Sequence, residues 1–169
     1  MNKTLLFASL LAVSGLSSVA AAADTGTNWY VRGDLGSGRI SVSGLGHNDA
    51  TGGAVGVGYY FNQNFAIEGA YTDFGSHNSV KINAWGGGLM GKTHFGQSQT
   101  GFFLDGRVGV NRLKASASFG SGTTTKVYVG AGAGYDFNPN FGLALNYLYN
   151  DGGSGTKAQL ISAGLEARF

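Results

Sequence analysis

Three histidines are the residues of this chain whose neighbours most suggest catalysis. His47 stands two residues before Asp49, and a second group comprises Asp73, Ser76, His77 and Ser79. A histidine beside a hydroxyl and a carboxylate can activate a nucleophile. Both groups, however, occur in stretches rich in Gly, Ser and Asn, which predict loops. We therefore predict no catalytic site and no enzymatic activity.

Cofactor and metal sites are not predicted either. The third histidine, His94, is interpreted as a turn residue, and three scattered histidines without any cysteine lack the spacing of metal ligands. The run Gly-Ala-Gly-Ala-Gly at 130–134 is similar to a dinucleotide-binding loop, but it lies in a strand-like segment and no helix follows it. No nucleic-acid partner is expected.

A second kind of chemistry, buried ion pairing, is suggested by eight charged residues at strand-like positions. They all fall on the side opposite to the large apolar residues: Arg32, Asp34, Glu68, Asp105, Arg107, Asp136, Glu166 and Arg168. Unpaired charges in a low-dielectric interior are costly, so we expect these residues to pair with one another. Arg32 and Asp34 in particular are expected near Glu166 and Arg168. The set would form either a structural ion-pair network or the gate of a narrow channel.

The elements that position these charges alternate with period two. From Trp29 onward, apolar residues recur at every second place, which is the period of a strand and not of a helix. Eight such segments follow one another, at residues 29–35, 54–61, 65–72, 80–91, 102–111, 127–137, 141–149 and 161–169. In the fourth, Ile82 and Trp85 fall on opposite sides, and we expect a β-bulge near Trp85 beside the glycines at 86–88.

The connections between these segments alternate in length. Those after the second and sixth segments are short, whereas those after the first, third, fifth and seventh are long and rich in Gly, Ser, Asn and Thr. The connection at 92–97, after the fourth, is intermediate. Short turns at one end and long loops at the other are typical of up-and-down barrels in outer membranes.

The low charge of the chain and the size of its apolar side chains indicate whether water or lipid surrounds these strands. Glycine accounts for 31 of the 169 residues, and only 12% of residues are charged, roughly half the usual globular share. A soluble barrel would hold its apolar face inside, but the Phe, Tyr, Val and Leu of that face are too large for the interior of eight strands. We therefore predict an all-β fold, an eight-stranded antiparallel up-and-down transmembrane β-barrel, with aromatic belts at both interfaces.

The N-terminus has the layout of a secretory signal peptide. Lys3 supplies a positive start, an apolar stretch follows, and small residues end at Ala23. The apolar run is too short to cross a bilayer as a helix, which takes about 20 residues. We predict cleavage after Ala22 or Ala23, so that residues 1–23 are the signal peptide and residues 24–169 are one barrel domain.

With these features and its final residues Leu165-Glu166-Ala167-Arg168-Phe169, the chain resembles the small outer-membrane barrels typified by the OmpA transmembrane domain, OmpX and the opacity-type porins. The resemblance implies location in the outer membrane of a Gram-negative bacterium. It also implies assembly by the barrel-assembly machinery, with Ile161, Leu165 and Phe169 as the signal that this machinery reads.

The predicted external loops and rim carry more positive than negative charge. The residues are Arg39, Lys81, Arg112, Lys114, Lys126 and Lys157 against Asp49, Asp73 and Asp151. Such a surface suits the phosphates of lipopolysaccharide or an anionic host or phage ligand. We therefore expect a structural and surface-interaction role, adhesin-like or in envelope integrity. The alternatives are a narrow, low-conductance porin for small solutes and a lipid-modifying outer-membrane enzyme.

Overall fold

A computed structural model describes residues 28–42, 46–77, 80–96, 99–117, 120–153 and 156–169, and the predicted signal peptide lies outside them. The regular elements of these residues are eight strands: β1 (Trp29–Val42), β2 (Gly46–Tyr60), β3 (Phe65–His77), β4 (Val80–His94), β5 (Gly101–Ala117), β6 (Gly120–Asn138), β7 (Phe141–Gly153) and β8 (Thr156–Arg168). Over the same residues, no helix is long and apolar enough to cross a membrane.

The strands form a closed antiparallel barrel. Each strand pairs with the next in the chain, and β1 closes the sheet by pairing with β8. Arg32 of β1, for example, lies opposite Gly56 of β2 on one side and opposite Glu166 of β8 on the other. Closure pairs the backbone groups around the body of the barrel, which is the condition for a sheet to cross lipid. The predicted eight-stranded up-and-down barrel is confirmed.

Short turns, held by asparagine side chains, occupy one end of the barrel, which we call the turn end. The Asn62 side-chain oxygen accepts hydrogen bonds from the backbone N–H groups of Asn64 and Phe65, at 2.9 and 2.7 Å. Asn138 does the same for Asn140 and Phe141, at 2.8 Å each. These side chains replace backbone partners that the chain loses as it reverses.

At the opposite end, which we call the loop end, the strands continue well beyond the predicted bounds. β5 runs to Ala117 and β6 begins at Gly120, where the sequence predicted a long loop. The prediction of long loops is therefore wrong, and so is the placement of His47 and His77 in loops, since they lie in β2 and β3. The two strands of a hairpin hydrogen-bond each other's backbone N–H and C=O groups whatever their side chains are. A run of polar residues therefore does not have to end a strand outside the lipid.

The predicted bulge near Trp85 is also wrong. β4 pairs with β5 from Lys81 to His94 without a shift in register. The irregularity lies in the neighbouring strand β3, between Asp73 and Ser76, where Gly75 has a φ of +90°. That conformation favours glycine, and the extra residue turns the strand inward.

The two faces of the barrel differ in polarity as predicted. Large apolar side chains cover the outer face, where Val55 and Leu145 are 57% and 67% exposed to the surroundings of the isolated chain. At the turn end, outward aromatic rings pack in pairs, with Trp29 and Tyr59 5.4 Å and Phe102 and Tyr135 5.0 Å apart between centroids. An apolar outer band with aromatic rings at its border is the arrangement that lipid requires.

Candidate functional site

The lumen holds all eight predicted charges, arranged in two clusters. The middle cluster consists of Arg32, Asp34, Glu68, Asp105 and Arg107, and the turn-end cluster consists of Lys92, His94, Asp136, Glu166 and Arg168. Strand alternation places these side chains on the inner face, because each lies an even number of residues from a buried position of that face: Tyr30, Ala66, Met90, Phe103, Tyr128 or Ser162.

The strongest contact of the middle cluster joins Arg32 of β1 to Glu68 of β3. The Arg32 Nε lies 2.7 Å from Glu68 Oε2, and its NH2 donates to Oε1 at 2.9 Å, so the pair is bidentate. The Tyr30 hydroxyl donates to the same carboxylate at 2.8 Å, and Arg32 also pairs with Asp34. β2 lies between the two strands, and its Gly56 lets the side chains meet, since a Cβ there would lie 3.2 Å from Arg32 Nε.

Further contacts close the middle cluster into a ring around the lumen. Asp34 accepts a hydrogen bond from the Asn146 side chain of β7 at 2.6 Å, and Asn146 accepts one from Arg107 of β5 at 2.9 Å. Arg107 also lies 3.2 Å from Asp105 and 4.0 Å from Glu68. The cavity left at this height is about 10 Å³, barely the space of one water molecule. The middle of the lumen is therefore filled.

The turn-end cluster contains a cation that sequence reasoning missed. Lys92 was expected in the connection after the fourth segment, but it lies in β4 with its side chain buried in the lumen. Its ammonium is 3.1 Å from both Asp136 and Glu166 and 3.7 Å from the centre of the Phe103 ring. The signal that would have found it is parity, because Lys92 continues the inward positions of Ala84 and Met90.

Asp136 and Glu166 each gather several donors. Asp136 lies 2.5 Å from Arg168 NH2 and 2.7 Å from His94 Nε2, and Glu166 lies 2.8 Å from Arg168 Nε. The interpretation of His94 as a turn residue is wrong, because β4 extends through it and directs its ring into the lumen. The Tyr60 hydroxyl completes the cluster by donating to Glu166 at 3.2 Å.

The expected proximity of Arg32 and Asp34 to Glu166 and Arg168 holds for the backbone but not for the ion pairs. Arg32 lies opposite Glu166 in the ladder, yet Arg32 pairs with Asp34 and Glu68, and Glu166 pairs with Lys92 and Arg168. Pairing among these four residues therefore occurs within each strand, Arg32 with Asp34 and Glu166 with Arg168, and not across the seam. The gap at Gly56 and the missed Lys92 offer each side chain a partner within its own cluster.

Glycines on the inner face provide the space that the charged side chains occupy. A Cβ on Gly132 would overlap the Asp105 carboxylate, and one on Gly164 would overlap that of Asp34. Gly142 stands in the same relation to Asp136. The high glycine content of the chain thus has a direct role in packing ion pairs into a narrow barrel.

Toward the loop end, the lumen becomes apolar, which sequence reasoning did not anticipate. The buried side chains of this apolar layer are Ala54, Phe74, Ile82, Ala84, Leu113, Ala158 and Leu160. Phe74 continues the inward positions of Glu68 and Thr72 on β3, and it is fully buried in this layer. The inward Ile82 explains why the fourth segment had mixed parity. The turn end, by contrast, opens into a cavity of about 370 Å³ lined by residues including Tyr60, His94 and Arg168.

The surface cations stand on strands at the loop end. Arg112 and Lys114 are exposed on β5, Lys126 is half-buried on β6, and Arg39 and Lys157 are exposed on β1 and β8. Asp73 lies at the β3 bulge, while the side chains of Lys81, Asp49 and Asp151 lie outside the described part of the structure. Over the same described part, no three His, Asp or Glu side chains are placed to hold a metal ion.

A closed barrel with an apolar exterior and ion pairs in its interior defines an integral membrane β-barrel. The chain belongs to the outer membrane protein beta-barrel domain family, whose model matches residues 8–169. Membership places it in the outer membrane of a Gram-negative cell and confirms the resemblance drawn from the sequence. Ile161 and Leu165 lie on the outer face of β8 and Phe169 follows its end; their role as an assembly signal remains a prediction.

Known proteins match this chain over nearly their full length. A Haemophilus influenzae protein, described only as uncharacterised, is 28% identical over 177 residues, which cover 95% of this chain and 98% of that protein. Neisserial surface protein A (NspA) superposes with a TM-score of 0.66 at 22% identity, covering 85% of this chain and 98% of NspA.

A third relative is Ail, the attachment invasion locus protein of Yersinia pestis. It superposes with a TM-score of 0.62 at 19% identity, covering 85% of this chain and 99% of Ail. Ail has also been solved in complex with the heparin analogue sucrose octasulfate. At these identities, both superpositions show the shared fold.

Proposed function

We propose that this chain is a surface-interaction protein of the outer membrane, in which a filled barrel anchors a cationic hairpin that binds an anionic partner outside the cell. The signal peptide at 1–23 exports it, and the barrel-assembly machinery inserts it through Ile161, Leu165 and Phe169. One observation carries the proposal. The segment Asn111–Val127, which we call the β5–β6 extension, contains Arg112, Lys114 and Lys126 and no acidic residue.

The extension stands beyond the lipid-facing band. On the outer face of β6, apolar residues alternate from Phe137 to Val127, and Val127 pairs with Val110 of β5, where the outer apolar residues of β5 also end. That length suffices for a tilted strand to cross a bilayer, which takes about 9–11 residues. The stretch 120–126 extends roughly 20 Å further at about 3.3 Å per residue. Because short turns face the periplasm in this class of barrel, the extension faces outward.

Two anionic partners suit different heights of the extension. Arg112 lies opposite Trp85 in the ladder, and an exposed tryptophan is typical of the membrane interface. Lipopolysaccharide phosphates lie at that height, and a guanidinium binds phosphate with two hydrogen bonds. Lys114 stands further from the lipid, where it is available to a host or phage ligand. The Ail complex with sucrose octasulfate makes a sulfated polyanion a suitable first probe.

The filled lumen favours an anchor over the alternative of a narrow pore. A solute would have to separate the ring of ion pairs around Arg32 and Glu68, where the free space is about 10 Å³. It would also have to displace the apolar layer around Phe74. Both obstacles lie in series along the barrel axis.

The test measures binding of proteoliposomes containing the chain to immobilised heparin. We expect the triple variant Arg112→Gln, Lys114→Gln, Lys126→Gln to bind at least tenfold more weakly, and the binding of the unmodified chain to fall with salt. The matched control is Lys157→Gln, an exposed cation on β8, which should bind as the unmodified chain does. Heat-modifiable gel migration verifies that each variant is folded. Equal binding by the triple variant would refute the proposal.

A further inference from the structure

The cavity at the turn end has a basic floor, and the carboxylates that pair with this floor lie behind it. The cavity holds about 370 Å³, a volume in the lower part of the range for small-molecule pockets. Its floor consists of Lys92, His94 and Arg168, whereas Asp136 and Glu166 are not among the described residues of its wall. The titratable side chains that face the periplasm from this floor are therefore basic.

Arg168 keeps hydrogen-bond donors for a ligand. Its Nε lies 2.8 Å from Glu166, its NH2 lies 2.5 Å from Asp136, and its NH1 donates to the Pro139 carbonyl oxygen at 3.3 Å. These contacts use three of the five N–H donors of a guanidinium. The donors beyond these contacts suit the oxygens of a carboxylate, which guanidinium groups bind with charge-assisted hydrogen bonds.

His94 supplies an acceptor beside these donors. Its Nε2 lies 2.7 Å from a carboxylate oxygen of Asp136, so in the neutral ring the proton belongs on Nε2. The other ring nitrogen, Nδ1, is then an acceptor, which suits a hydroxyl donor. The floor of the cavity therefore fits a molecule that carries a hydroxyl group near a carboxylate.

Amide side chains form the rim of the cavity. They come from the segment before β1 and from the three connections at the turn end: Asn28, Asn62, Gln63, Gln99 and Asn140. The Asn62 oxygen holds its own turn, which leaves its NH2 group as a donor. The Asn140 NH2 group donates to the Arg168 carbonyl oxygen at 3.0 Å, which leaves its oxygen as an acceptor. A rim that donates and accepts hydrogen bonds complements hydroxyl groups, which do both.

We propose that the turn-end cavity is a periplasmic binding site for a small polyhydroxylated carboxylate, the chemistry of a sugar acid. The carboxylate binds Arg168, and the hydroxyl groups bind His94 and the amide rim. A neutral sugar would cover the Arg168 donors without giving them a charged partner, and a bare carboxylate would leave the rim without one. The site lies at the opposite end of the barrel from the β5–β6 extension, so it adds a periplasmic function to the proposed external one.

The experiment is an NMR titration of the folded chain in lipid nanodiscs with three probes. D-galacturonate carries both kinds of group, D-galactose has a CH2OH group in place of the carboxylate, and acetate has the carboxylate alone. We expect galacturonate to shift the amide signals of Gln63, Gln99 and Asn140, and to bind about tenfold more tightly than either other probe.

Variants of exposed rim residues test the site without disturbing the ion pairs. Gln63 and Gln99 are both exposed, and the double variant Gln63→Ala, Gln99→Ala should bind galacturonate about threefold more weakly. The matched control is Gln159→Ala, which removes an amide from β8 near the loop end and should bind as the unmodified chain does. Heat-modifiable gel migration verifies that each variant is folded.

The other outcomes overturn the proposal in distinguishable ways. If galacturonate does not bind, or binds no more tightly than galactose, the basic floor does not recognise a carboxylate. Acetate binding as tight as that of galacturonate would overturn the sugar-acid assignment, and so would unchanged binding by the double variant. Shifts confined to Arg112, Lys114 and Lys126 would assign the binding to the β5–β6 extension, which would overturn the turn-end site and leave the proposed function standing.

Discussion

Replacing Arg32 by methionine is expected to destabilise the barrel more than any surface substitution. Methionine occupies much of the volume of the arginine stem but removes the guanidinium that binds Glu68 in bidentate fashion and pairs with Asp34. The Arg32 and Glu68 side chains are only 8% and 2% exposed. Glu68 would keep the Tyr30 hydroxyl and an Arg107 contact at 4.0 Å. Breaking a buried pair by removing one partner costs about 3–5 kcal/mol.

The assay is urea unfolding in lipid vesicles, followed by tryptophan fluorescence and by gel migration without boiling. With a urea dependence of about 2 kcal/mol per molar, the midpoint of Arg32→Met should fall by about 2 M. Glu68→Leu should give a loss of similar size. The double variant should be more stable than the sum of the two losses by about 2 kcal/mol, since it leaves neither partner uncompensated. Losses under about 0.5 kcal/mol, or strict additivity, would refute the reasoning.

Two further predictions test the packing and the missed cation by the same unfolding assay. Gly164→Ala should lower the free energy of unfolding by about 1–3 kcal/mol, because its Cβ would overlap the Asp34 carboxylate. The control is Gly106→Ala on the outer face, whose Cβ would have its nearest neighbour at 4.0 Å and which should leave the urea midpoint unchanged. Equal effects of the two substitutions would contradict the account of the glycines. Lys92→Met should lower the urea midpoint markedly, because it removes the buried ammonium between Asp136 and Glu166. Lys157→Met, on the surface, should change the free energy of unfolding by no more than about 0.5 kcal/mol. An unchanged midpoint for Lys92→Met would argue against the turn-end cluster.

The body of the barrel was predictable because lipid imposes a strict pattern on it. Val55 and Val57 must face hydrocarbon, so the alternate positions on the same strands are left to glycine and to polar residues, and period two is visible in the sequence. The extent of the strands at the loop end was not predictable. Residues 122–125 of β6 are exposed on both faces of the strand, so nothing forces polar and apolar residues to alternate there.

The sequence predicts which face of the sheet carries the charged side chains, but not which of them pair with one another. Parity places Arg32 inside, but its partner Glu68 is two strands away, and the Arg32 side chain reaches it across Gly56. Lys92 was missed because a lysine after a glycine-rich strand was interpreted as the start of a turn. The apolar layer was missed because the predicted segments end before they reach it: Phe74, Leu113 and Leu160 lie just beyond the bounds 65–72, 102–111 and 161–169.

The claim that the barrel is a filled anchor is tested most directly by recording single-channel currents from the unmodified chain in planar bilayers. Because the ring of ion pairs and the apolar layer fill the lumen, we expect the inserted protein to show no uniform conductance steps. Heat-modifiable migration of the recovered protein verifies that folded barrels were inserted. Stable openings of one size in most insertions would contradict it, since they would require a continuous aqueous path through a lumen whose middle leaves about 10 Å³.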